Sequence, residues 1–229
     1  MSRLIVSLSI LIVMQSAFAL EKLEKITNMN EFGYFTHMYY LQPQPELINS
    51  AITFIGSSDV VSNPNVKAPL LMSFSCLFSN YGSTEKEKWK STIKTIAEPA
   101  KSLLTHSINN SPSKLLEETP TSPAKNDMNW ACFFATGDFK YLNSIIEVLK
   151  YLDDRKDINL FLTAASAKWS LSSNAKSHFK VRMAMEAMKV GDVPDMRPLA
   201  EEILDKDPQV IREETVAVLK EQKEKGVWK

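Results

Sequence analysis

Apolar residues recur along much of this chain at the spacing of an α-helix. Leu142, Ile145, Ile146, Leu149 and Leu152 follow the i, i+3, i+4, i+7 pattern, and so do Trp89, Ile93, Ile96, Ala100 and Leu103. Near the end, Ile211, Thr215, Val218 and Gln222 trace one face, with Val210 and Leu219 beside it. Start signals accompany these runs. Thr84-Glu85-Lys86-Glu87 reads as a capping box, and Asp207-Pro208 places a cap residue before a proline at the first helical position. Pro45 opens a helix through Leu47, Ala51 and Phe54, whereas Pro99 ends or kinks the helix that contains it. Alternating apolar–polar runs are almost absent. The pattern predicts an all-α protein.

One stretch breaks the periodicity. Ser107 to Asp127 holds Asn109-Asn110, prolines 112, 120 and 123, and several Ser and Thr. Apart from a short helix around Leu115-Leu116, it is expected to be a flexible loop. It divides the chain into first helical units over 20–106 and further units with a C-terminal capping helix over 128–229.

Internal repetition gives more detail. Phe54-Ile55-Gly56-Ser57-Ser58-Asp59, then Ser62 and Val66-Lys67, matches Trp169-Ser170-Leu171-Ser172-Ser173-Asn174, then Ser177 and Val181-Arg182, without a gap. The serine-rich turns 57–62 and 172–177 are thereby expected to be equivalent corners. At about half that spacing, Met72, Cys76, Phe78 and Gly82-Ser83 are echoed by Met128, Cys132, Phe134 and Gly137-Asp138, and Gly191-Asp192 follows. A glycine there suits a helix end that turns through the left-handed conformation. About three helical units result. Asn63-Pro64-Asn65-Val66-Lys67, Ser177 to Arg182 and Asp207 to Arg212 each precede an apolar helix. That pattern resembles the second helix of HEAT-like repeats, which implies an α-solenoid-like array with a long binding groove. The alternative is an irregular helical bundle carrying an old duplication.

Composition supports helix and narrows the setting. The 229 residues include only 6 glycines, where average usage of about 7% would give roughly 16. The 27 basic and 27 acidic side chains balance, so no bulk field favours nucleic acid or anionic lipid. Arg3, the uncharged run Leu4 to Met14 and the Ala17-Phe18-Ala19 end read as a cleaved signal peptide over 1–19. The mature chain would begin at Leu20 and be periplasmic or secreted. The apolar run is too short to span a bilayer, and no later segment is long enough. An oxidising compartment favours a bond between Cys76 and Cys132. Regular stacking of equivalent helices about 8–10 Å apart argues against one, and the balance falls on two reduced, buried thiols. A bond would instead mean that the two units meet directly through their cysteine-bearing helices.

Catalytic patterns are thin. There is no G-x-S-x-G elbow, Gly-rich phosphate loop or H-E-x-x-H, and His37, His106 and His178 stand far apart. Asp153-Asp154 with Asp157, Asp192 with Asp195, and Asp205 with Asp207 lie at helix boundaries and read as caps rather than metal ligands. No metal or cofactor is expected. His178 occupies the turn position that Asn63 fills in the first unit, which suggests a capping role. The function expected is non-enzymatic binding or scaffolding through a protein or peptide partner. Trp169, Asn174 and His178, with His37 and Tyr40, are the candidate binding residues. The alternative is an exported hydrolase-like enzyme whose site is assembled from scattered residues.

Overall fold

The computed structural model describes residues 23–191 and 196–228. The expected signal peptide, Asp192 and Asp195 lie outside them. Twelve α-helices and no strand occur among the described residues. They are α1 Met29–Met38, α2 Ile48–Ser57, α3 Pro64–Ser79, α4 Ser83–Thr95, α5 Ala100–Asn109 and α6 Pro112–Glu117. α7 Pro123–Thr136, α8 Phe139–Glu147, α9 Ile158–Ser177, α10 Phe179–Val190, α11 Met196–Asp205 and α12 Pro208–Glu224 follow. No described helix is long and apolar enough to cross a membrane.

Two helices form the centre. α3 buries Leu70, Met72, Phe74, Cys76, Leu77 and Phe78, and α7 buries Met128, Trp130, Cys132, Phe133 and Phe134. Burial around most of the circumference is the mark of a helix enclosed by others. The outer helices show narrow apolar faces instead. Tyr141, Leu142 and Ile145 are buried on α8, and Ile211 and Gln222 on the face read for α12. One contiguous core runs from Ile26 to Ile203, with a small satellite of Phe161, Ala165 and Trp228.

α3 and α7 are joined by a disulfide between Cys76 and Cys132, with Cα atoms 5.3 Å apart. This corrects the expectation of free thiols. Spacing between axes is not spacing between Cα atoms: a backbone radius of about 2.3 Å on each helix brings facing Cα atoms within disulfide range even at ordinary packing distance. The units meet through their cysteine-bearing helices.

The stretch 107–127 is also corrected. α5 runs on to Asn109, α6 spans Pro112–Glu117, and α7 starts at Pro123. Ser111 and Ser122 accept bonds from the backbone N–H groups of Lys114 and Lys125, each just ahead of a proline at the first helical position. The residues that read as loop formers are therefore helix starts. Side-chain bonds tie the stretch to α3: Ser107 Oγ donates to Leu71 O at 3.0 Å, and Ser75 Oγ donates to Asn110 O at 2.8 Å.

Smaller differences have local causes. The N-cap of α4 is Gly82, which leaves Thr84 inside the helix and no capping box there. α4 ends at Thr95 and α5 begins after Pro99, as that proline implies. The turns 57–62 and 172–177 are not equivalent corners, because α2 ends at Ser57 whereas α9 continues to Ser177. Buried Leu171, Ser172 and Ala175 keep that part of α9 helical. What the two segments share is the next helix start, with Asn63 and His178 as N-caps of α3 and α10. Gly137 takes the left-handed φ of 67° expected at a helix end, whereas Gly82 and Gly191 do not. Asp157 and Asp207 cap α9 and α12, and Asp154 accepts the backbone N–H groups of Lys156 and Asp157.

Candidate functional site

Helix α1 and the turn after it bring two of the candidate residues, His37 and Tyr40, to the ends of α7 and α9. Asn28 caps α1 by accepting from Asn30 and Glu31 backbone N–H groups, both at 3.0 Å. Its far end is held where Tyr40 N donates to Phe134 O at 3.0 Å. The Tyr40 hydroxyl is then hydrogen-bonded to His178 Nδ1 at 3.0 Å. The Phe134 ring stands beside both histidines, 5.0 Å from His37 and 4.8 Å from His178 between centroids. His178 caps nothing with its side chain. It is 4% exposed, and burial, with a smaller effect of His37, lowers its pKa to about 4. Burial pushes Tyr40 up to about 12. This pair is a neutral, buried hydrogen bond that positions α1 against α10.

Lys180 closes the cluster. Its Nζ donates to Gly137 O at 3.1 Å and lies over the Tyr40 ring, 5.5 Å from the centroid. A Cβ on Gly137 would meet Lys180 Nζ at 2.7 Å and Tyr40 Cδ2 at 3.1 Å. Glycine is required there by its φ, and Tyr40 leaves little room for a side chain. The other two candidates stay apart from this contact set. Trp169 is 42% exposed on α9, and Asn174 Nδ2 donates back to Ser170 O at 2.9 Å within its own helix.

Next to the cluster lies a groove of about 380 Å³, walled by α1, α3 and α7 with Val60 at one edge. That is within the range of ligand sites, about 300–1,000 Å³. Its surface is mostly apolar: Phe32 from α1, Pro69 and Leu70 from α3, and Trp130 and Phe134 from α7 are among the lining. His37 joins it from α1, and Asp127 from α7 adds the one formal charge on the described lining. The groove is held rigidly on one side. Trp130 Nε1 donates to Ser170 Oγ at 2.9 Å, and Asn126 Nδ2 donates to Thr163 O and Ser166 Oγ, which fixes α7 on α9. The disulfide fixes α7 on α3.

Two glycines show which space is already used. A Cβ on Gly56 would collide with Ile96 Cβ at 2.5 Å, so packing of Ile96 on α2 requires glycine there. A Cβ on Gly33 would meet nothing within 4 Å. Gly33 sits in mid-α1 on the groove wall, where glycine costs a helix about 1 kcal/mol relative to alanine. Nothing in the described protein requires it.

Sequence reasoning found His37 but missed Gly33, Asp127 and the apolar walls. The wall residues come from separate helices, and no local spacing links them. Gly33 was visible as a glycine within a short apolar run, but its open surroundings were not. Compared with models of protein families, with curated proteins and with solved structures, the chain matches none of them.

Proposed function

We propose that this chain is an exported, non-enzymatic helical protein that binds an apolar peptide segment of a partner protein in the groove between α1, α3 and α7. The observation that carries the reading is Gly33: a helix-weakening residue facing empty apolar space is explained by a ligand backbone that approaches the wall closely. The groove is open at the surface and built on cross-braced helices, which suits docking of a segment with little rearrangement. Export is supported by the signal features of residues 1–19 and by the buried disulfide, a bond that persists in oxidising compartments.

Gly33→Leu tests the binding reading, since it fills the groove while improving helix propensity. Short end-blocked apolar peptides should bind the wild-type protein and lose binding to Gly33→Leu, with no fall in melting temperature. Peptide binding that is indifferent to this substitution would overturn the groove. For export, N-terminal sequencing of the secreted fraction should begin at Leu20; retention of residues 1–19 on a membrane would refute it.

A further inference from the structure

The groove wall carries four polar side chains, Thr36, His37, Ser73 and Asp127, and the Ser73 hydroxyl can donate or accept. Asp127 is exposed at the surface, and it takes part in no ion pair or hydrogen bond among the described residues. Partial desolvation of its carboxyl group raises its pKa. His37 is the second polar group. Its Nδ1 lies 2.9 Å from Gly33 O. A carbonyl oxygen only accepts, so Nδ1 carries a proton and Nε2 is the ring nitrogen left without a partner among the described residues. Thr36 spends its hydroxyl proton on the carbonyls of Phe32 and Gly33. The groove therefore combines apolar walls with a few polar groups, and the one formal charge on its described lining is negative.

From this complementarity we infer that the bound segment carries a Lys or Arg next to its apolar side chains, with the cationic N–H donors directed to Asp127 and the apolar side chains seated on Phe32, Leu70, Trp130 and Phe134. The inference rests on the groove reading above. A cation supplies the donors that Asp127 lacks, and a charge-assisted bond is about twice as strong as a neutral one. An acidic segment would place like charges together in apolar surroundings and is excluded on the same ground. The aromatic rings on the wall add a second attraction for a cation.

The experiment compares three end-blocked peptides of one apolar sequence that differ at a central position: arginine, its neutral isostere citrulline, or glutamate. Each is titrated calorimetrically into wild-type protein, Asp127→Asn and Gly33→Leu. The arginine peptide should bind wild type about tenfold more tightly than the citrulline peptide, with the glutamate peptide weakest. Asp127→Asn should abolish the preference and retain apolar binding. Equal affinities for arginine and citrulline, or a preference that survives Asp127→Asn, would overturn the cation assignment while leaving the groove in place. Absence of binding by all three peptides, or binding that survives Gly33→Leu, would overturn the groove itself and the inference with it.

Discussion

The Tyr40 hydroxyl and Nδ1 of His178 meet at 3.0 Å across 138 residues of chain, in surroundings that exclude water from both. Removing one partner leaves the other buried and unsatisfied, which costs more than the bond itself contributes. Tyr40→Phe keeps the ring against Phe133 and removes only the hydroxyl. It should lower stability by about 1–3 kcal/mol, read as a reduced urea midpoint at unchanged slope. An unshifted midpoint would mean that the imidazole has another partner.

The same histidine sets a pH dependence. Burial depresses its folded pKa to about 4, against an ordinary value near 6.5. Between these values the unfolded chain takes up a proton that the folded chain refuses, so stability rises with pH through that window. The stabilisation is fully present above pH 6.5 and is lost as pH falls towards 4, by on the order of 2–3 kcal/mol. Denaturant titrations of wild type and His178→Gln, compared point by point, isolate this contribution from the carboxylates. Parallel curves between pH 4 and 6.5 would contradict it.

Cys76 and Cys132 close a loop of 56 residues between the two central helices. On the chain-entropy model a loop of that length stabilises by about 4 kcal/mol. Replacing both cysteines by alanine should therefore lower the melting temperature markedly and loosen the groove that α3 and α7 wall. Equal melting of the wild type with and without a strong reductant, once free-thiol titration confirms reduction, would contradict the prediction.

Gly33→Ala tests the open space on α1 from the side of stability. With no atom within 4 Å of the new Cβ, the helix gains about 1 kcal/mol, a rise of about 2–4 °C for a domain of this size. A drop in melting temperature would show that the position is crowded, and the explanation of this glycine by a ligand would go with it.

Local order was legible in the sequence because its causes are local. The face Ile211–Gln222, the cap at Asp207-Pro208 and the break at Pro99 depend on contacts within a turn or two, and the structure places them as read. Prolines 112 and 123 show the limit of that reading. The same residues end a helix or begin one, and the difference lies in whether Leu115 or Met128 finds a core to enter. His37, Tyr40 and His178 stood out by residue type alone, whereas their meeting at Phe134 depends on how α1, α7 and α10 pack. The sequence by itself determined the helical class and the helix starts after Asn63, His178 and Asp207, since each follows from propensity and chain-local turn signals within a few residues. Only the tertiary structure decided that Cys76 reaches Cys132, that Ile96 needs Gly56, and that Gly33 and Asp127 face one apolar groove. Those relationships join surfaces far apart in the chain, and they are set by the simultaneous packing of the whole core.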